Sequence, residues 1–212
     1  MKIFIAVPSM DSVPAIFAQS LSMLQKPEGC ECAISFQIGS LIYNSRNALA
    51  KKAIELDADY IFWLDSDMLF EPDTLIRLFN EMQEKDLNIL SGVYFRRVEP
   101  YTPVLFKKLR IDEKNRCEHE AFNDYPKDEL FEAEGIGFGC VLMKTQVLFD
   151  VLAKYQDFFS PINLVGEDLS FCYRARECGY KIHVDPNIPL GHCGHTIITK
   201  AFYEAFNKQK GD

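Results

Sequence analysis

Residues 59–66, DYIFWLDS, set large apolar side chains at five consecutive positions, Tyr60 to Leu64, and then stop on acid. A strand alternates its side chains between two faces, so an unbroken apolar run is a strand buried on both. Such strands belong to sheets covered by helices on either side. The flanking sequence agrees. Residues 2–9 (KIFIAVPS), 30–39 (CECAISFQIG) and 88–96 (NILSGVYFR) read as further strands, the second of them half exposed because polar residues alternate along it. Between them, 12–26, 43–57 and 72–85 have helical spacing, with starts marked by Ser12, by Asn44 and Ser45, and by Pro72 and Asp73. The βαβαβαβ order predicts an α/β fold with a mostly parallel central sheet and helices on both faces.

The second half is less regular. Residues 110–128 are dense in charge and weak in periodicity, which predicts an exposed excursion. Residues 134–144 (EGIGFGCVLMK) read as a glycine-rich turn into a strand, 145–155 as a helix, 166–178 (GEDLSFCYRAREC) as a helix opening on its acids, and 180–186 as a strand. At 212 residues the expectation is one domain, 1–212, in two halves, 1–98 and 99–212.

The formal net charge of −8 argues against bulk nucleic-acid binding and against an anionic membrane as partner. Arg96, Arg97, Lys107, Lys108 and Arg110 are the candidates for a local basic patch. No apolar run reaches the ~18–20 residues of a membrane span, and the start, MKIFIAVPSMDS, reads as a strand and not as a signal peptide. Seven cysteines without a C-x-x-C pair predict reduced thiols and a cytoplasmic setting, with most of the thiols acting as small core residues.

The buried strand ends in Asp65 and Asp67. Residues two apart on a strand share a face, so the spacing predicts neighbouring carboxylates at the carboxyl end of the strand, where ligands bind in open α/β sheets. Two carboxylates held that close repel each other, and a divalent cation relieves them; hard oxygen donors favour Mg2+ or Mn2+, ions that commonly bridge to phosphate.

With the apolar strand before it and a proline-started helix after it, this pair resembles the D-x-D motif of the GT-A glycosyltransferases, in particular those similar to family 2. Three further segments fall in that family's order: NSRNALAKKA, VGEDLSFCYRARECGYKI and DPNIPLGHCGHTI. The resemblance implies a nucleotide-diphosphate-sugar donor and a metal-dependent transfer to an acceptor. The acceptor could be a glycan, a lipid-linked glycan, a protein, a small molecule or a nucleobase. Asp65 and Asp67 would hold the cation together with the donor's ribose and diphosphate. Arg46 and Asn47, at the start of a helix, would meet the diphosphate. His192 would be a third metal ligand, a better match than His195. Pro8 and Ser9, ending the first strand, would approach the base. In the G-E-D segment, Asp168 would be the general base that takes the acceptor's proton, with Glu167 binding acceptor or orienting the sugar. That segment favours inversion. The chain is compact for the family, which implies a reduced acceptor-binding part or one supplied by another protein.

Other readings fit less well. A sugar-phosphate nucleotidyltransferase carries a Gly-rich, arginine-containing loop after the first strand, whereas PSMDSVPA has neither residue. A phosphatase of the haloacid-dehalogenase type needs Thr or Ser where this chain has Leu69. Gly135, Gly137 and Gly139 make G-x-G-x-G, not the dinucleotide fingerprint, and no G-K-[ST] is present. A non-catalytic nucleotide-sugar or glycan-binding protein remains the reading from another class, and the presence of both acid pairs argues for catalysis.

Overall fold

The computed structural model describes residues 1–39, 41–114, 116–194 and 197–210. In chain order the elements are β1 (Lys2–Ser9), α1 (Ala15–Met23), β2 (Glu31–Ile38), α2 (Ile42–Glu55), β3 (Tyr60–Leu64), β4 (Met68–Phe70), α3 (Thr74–Glu84) and β5 (Ile89–Val93). There follow β6 (Leu105–Ile111), β7 (Cys117–Ala121), β8 (Phe131–Ala133), β9 (Gly135–Ile136), β10 (Cys140–Lys144), α4 (Gln146–Tyr155), α5 (Glu167–Glu177), β11 (Ile182–His192) and α6 (Lys200–Lys210).

The central sheet runs β2-β1-β3-β10-β5-β11-β4, with β8 also paired to β11. The pairs β1–β2, β1–β3 and β5–β11 are parallel, while β10 runs antiparallel to both β3 and β5. Five strands therefore share one direction, and the expected α/β class holds as a mixed, largely parallel sheet. The apolar run of β3 does what its pattern demands. Trp63 and Ile61 face one side with Phe4, Ala6, Val141 and Met143, under α2, α4 and α5. Tyr60, Phe62 and Leu64 face the other with Ile3, Ile5, Val7 and Leu142, under α1 and α3. Helix α3 buries Leu75, Leu78, Phe79 and Met82, spaced three and four apart, along one stripe. Each large side chain so buried contributes about 1.5–3 kcal/mol.

Three features depart from the sequence expectation. The 110–128 excursion is built on a hairpin: β6 pairs antiparallel with β7 on one edge and with β9 on the other. Leu109, just before it, and Tyr125, within it, reach the core, so its charged residues are the outer face of a partly buried layer. Strand β10 sits in the middle of the sheet, between β3 and β5, because CVLM is apolar on both faces and fits a slot with no exposed side. Strand β11 runs on past its expected end. A register shift between Asp185 and Pro189 lets its last residues, Leu190 to His192, pair antiparallel with β4. All seven cysteines are free, and Cys140, Cys172 and Cys193 are buried. No helix among the described residues is long and apolar enough to cross a membrane.

The turn before β10 is set by packing. A Cβ on Gly137 would come within 1.9 Å of the Tyr94 hydroxyl oxygen and 2.8 Å of Val104, whereas a Cβ on Gly166 would meet nothing within 4 Å. Gly137→Ala should therefore cost about 1–3 kcal/mol through overpacking. Gly166→Ala, at a negative φ, should stay within about 0.5 kcal/mol of wild type. Urea midpoints of the two variants check the contrast.

Candidate active site

The chain turns sharply where β3 ends. Asp65 donates its backbone N–H to the Gly139 carbonyl at 3.0 Å, the Met68 N–H returns to the Asp65 carbonyl at 3.1 Å, and β4 begins. Asp65 and Asp67 therefore do not share a strand face as their spacing predicts; the turn gives them different partners. Asp65 points under the sheet edge toward α2, and Asp67 points toward the end of β11.

Asp65 meets Arg46. The Arg46 Nη2 donates to Asp65 Oδ1 at 2.9 Å and Oδ2 at 3.2 Å, and lies 3.4 Å from Asp168 Oδ1; Nε lies 3.6 Å from Glu167 Oε1. The guanidinium is 1% exposed, boxed by the rings of Trp63, Phe138 and Phe159 at 5.5–5.8 Å from their centroids. Its Nε and Nη1 make no hydrogen bond, so ring faces and carboxylate charge balance them. Burial opposes the cation, but Asp65, Asp168 and Glu167 more than compensate and hold Arg46 charged. The expected contact of Arg46 with a diphosphate is not what the geometry provides. The residue lies one turn inside α2, beneath the carboxylates, and joins the two acidic segments from below.

Asn47 is also differently engaged. Its Nδ2 donates to Asp157 Oδ1 and Ser160 Oγ at 3.2 Å each, and its Oδ1 accepts the Phe159 N–H at 2.8 Å. Arg174 Nη1 donates to the Phe158 carbonyl at 2.8 Å. Asn47 and Arg174 thus fix the 157–160 loop that supplies Phe159 to the aromatic box.

Glu167 and Asp168 open α5, as the sequence predicts, with Gly166 as N-cap. The Phe138 N–H donates to Asp168 Oδ2 at 3.3 Å, while Oδ1 is sealed from water without a hydrogen bond of its own. One guanidinium cannot neutralise three half-buried carboxylates. Burial first, then Glu167 and Asp65, push Asp168 up to about 7 against the pull of Arg46. Burial also raises Asp65, with Asp67 and Glu167 adding to it and Arg46 opposing. A carboxylate poised near neutrality suits a general base.

Asp67 meets His192 and Arg97. Because His192 is in register with Met68 across the β4–β11 pair, its imidazole arrives beside Asp67, Nε2 3.3 Å from Oδ2. The Cys193 N–H donates to the Asp67 carbonyl at 2.7 Å. His192 Nδ1 lies 2.8 Å from the Phe95 carbonyl, which orients the ring and leaves Nε2 facing the carboxylate. Burial works against charge on both groups, yet their mutual hydrogen bond lowers Asp67 below and raises His192 above the ordinary value. Arg97 Nη1 lies 2.5 Å from Asp67 Oδ2.

No group of three His, Cys, Asp or Glu side chains is arranged to hold an ion among the described residues. Asp67 and His192 still fit one as a pair: a hard oxygen and an imidazole nitrogen converge, and the far side of the ring is tied to a carbonyl, as metal-bound histidines usually are. Mg2+ and Mn2+ sites commonly use one or two protein ligands and take the rest from substrate phosphates and water. Asp65 is turned to Arg46 instead. His195 lies outside the described residues.

Pro8 and Ser9 end β1 with buried side chains, the Ser9 carbonyl accepting the Gly39 N–H at 3.1 Å, so they border the same sheet end through their backbone. Sequence reasoning missed Tyr94, whose hydroxyl takes the Gly139 N–H at 3.3 Å and whose ring lies edge-on to His192, with centroids 5.4 Å apart. It also missed the aromatic box and Arg97 as part of the site. No local pattern marks them, since each comes from a different element. A cavity of about 580 Å³ lies elsewhere, among β4, β11 and α6, and is lined by apolar residues such as Leu69, Val93 and Ile188.

Residues 34–144 match the family model described as Glycosyl transferase family 2. The G-E-D segment and His192 lie beyond the matched residues. Among solved structures the chain is similar to A197 from STIV, with a TM-score of 0.65 at 18% identity over 93% of each chain. It is also similar to S. aureus TarS (residues 1–349), with a TM-score of 0.53 at 16% identity, over 88% of this chain and 58% of that one. GalNAc-T7, solved with UDP, GalNAc and Mn2+, gives a TM-score of 0.57 at 10% identity, over 90% and 42%. At such identities the likeness is one of fold, and the fold is the GT-A type. No curated protein matches the chain.

Two stability measurements test the Arg46 cluster. Arg46→Ala, which leaves three carboxylates without their cation, should cost about 3–5 kcal/mol in urea unfolding at pH 7. Arg46→Lys should recover part of that, because an ammonium cannot span the three acids as the planar fork does. The second concerns Asp168. Raised above its unfolded value of 3.8 to about 7, it holds a proton in the folded chain that the unfolded chain has lost, so it lowers stability as pH rises through that window. Asp168→Asn should flatten the decline and raise the Tm at pH 8 by about 2–4 °C or more, the shift per kcal/mol in a domain this size. An unchanged pH profile of Tm would show that the proton is not held there.

Proposed function

The chain belongs to glycosyl transferase family 2, and from that premise we propose that it moves a sugar from a nucleotide-diphosphate sugar to an acceptor hydroxyl with inversion, with Asp168 as general base. The observation that carries this reading is the single guanidinium of Arg46, which ties Asp65 of the D-x-D segment to Asp168 of the G-E-D segment at 2.9 and 3.4 Å. The two acidic segments are thereby held side by side, which supports a shared role for them.

Deprotonated Asp168 accepts the acceptor hydroxyl's proton as that oxygen forms its bond to the anomeric carbon, and the bond from that carbon to the diphosphate breaks. Glu167 and Asp65 make the proton welcome, since each reduces the cost of losing the negative charge beside it. Arg46 keeps the ionised form available before the reaction. Asp67 and His192 would hold Mn2+ or Mg2+, which when bound offsets the charge of the diphosphate leaving group. The Mn2+ named with GalNAc-T7 supports a metal for this fold. Asp65, on the rim between Arg46 and the turn, would meet the donor's ribose, with the backbone of Pro8 and Ser9 next to its base.

A thermal-shift panel of nucleoside diphosphates, with manganese and with chelator, identifies the donor base by the rise in Tm that binding produces. Hydrolysis of the matching nucleotide sugar then serves as the activity assay in place of an acceptor. Asp168→Asn should bind the diphosphate as wild type does and lose about 10²–10⁴-fold in rate, together with the rise of rate through pH of about 7. Asp67→Ala should lose binding and rate together. Wild-type rate in Asp168→Asn, or equal nucleotide affinity with and without metal, overturns the reading.

A further inference from the structure

The donor's diphosphate needs a cationic partner besides the ion, and Arg46 is sealed beneath the acids. Arg97 has the opposite setting. Its side chain is 52% exposed and its Nη1 lies 2.5 Å from Asp67 Oδ2. It projects from the segment after β5, whose base is closed by a bridge between Phe95 and Pro103, by the Arg96 N–H on the Thr102 carbonyl at 2.9 Å, and by the Val104 N–H on the Tyr94 carbonyl at 3.0 Å. The support is thus paired, and the exposed head is held to Asp67. We infer that Arg97 is a donor-binding residue, holding Asp67 while the donor is absent and turning to the donor's diphosphate once an ion occupies Asp67 and His192. The inference rests on the proposed function.

Charge dictates the exchange. Arg97 and His192 approach the same oxygen, Asp67 Oδ2, at 2.5 and 3.3 Å. A divalent ion on that oxygen repels a guanidinium in contact with it, so the two cannot share it. The ion pair that must break is partly exposed, a class of contact that contributes little to stability. The released fork, planar and always charged, then stands next to the ion that carries the diphosphate, and two of its N–H groups can donate to phosphate oxygens together. Arg97 is in this sense a stand-in cation for Asp67 that becomes a ligand for the leaving group.

The test uses two probes on the intact chain: manganese alone, followed by the electron paramagnetic resonance of free Mn2+, and manganese with the nucleoside diphosphate that most stabilises wild type among UDP, GDP, CDP, ADP and dTDP. Removing a weak competitor, Arg97→Ala should bind manganese alone about two- to five-fold more tightly. Removing a charged donor to phosphate, it should bind the diphosphate on the order of 10–100-fold more weakly. Arg97→Lys should recover part of the diphosphate affinity. Unchanged diphosphate affinity in Arg97→Ala, or weakened binding of manganese alone, overturns the inference while leaving the proposed function standing. Wild type that binds none of the five diphosphates overturns both.

Discussion

A single buried cation organises this molecule's working end. Arg46 is enclosed by three aromatic rings and faces three carboxylates contributed by two distant segments. A guanidinium in such a space is tolerable when its charge is met, and a cluster of acids is tolerable when a cation sits among them. Each half of the arrangement therefore depends on the other. Burial, and then the neighbouring charges of Glu167 and Asp65, raise Asp168 against the pull of Arg46, so the arrangement that holds the cluster together also leaves one carboxylate poised near neutral pH.

The sheet supplies the geometry that this cluster needs. Strand β10, wedged between β3 and β5, delivers the 137–139 turn to the end of β3, where it accepts Asp65's backbone N–H and donates to both Asp168 and Tyr94. Gly137 has no side chain because the Tyr94 hydroxyl fills that space. On the other flank, the register shift in β11 carries its last residues across to β4 and sets His192 beside Asp67. The two acids of the D-x-D segment thus serve different clusters, one whose cation, Arg46, is sealed and one whose cation, Arg97, stands in solvent.

Much of this was legible in the residues. Consecutive apolar positions in 60–64 force a strand with two buried faces, and alternation with helical segments then leaves few architectures. The acids at 65, 67, 167 and 168 and the histidine at 192 lie at element ends, where polar groups in apolar surroundings signal a site. Their partners were less legible. Arg46 looks in sequence like any helix-opening arginine, and its burial depends on Trp63, Phe138 and Phe159, which no periodicity relates. Asn47 resembles a cap or a ligand, yet it clasps the 157–160 loop. The charge of the 110–128 segment hides the buried Tyr125 that anchors it.

Local patterns suffice for the α/β class, for the alternation of β1, α1, β2, α2, β3, α3 and β5, though not for the short β4 between β3 and α3, and for the identity of the acidic segments. Each follows from where one residue's side chain must go, a question that neighbours in the chain answer. Pairing between distant segments answered the rest: β10's slot in the sheet, the divergence of Asp65 from Asp67, and the meetings of Arg46 with Asp168 and of Asp67 with His192. Those depend on charge and shape meeting between segments far apart in the chain, and such a contact leaves no periodic trace in the chain that makes it.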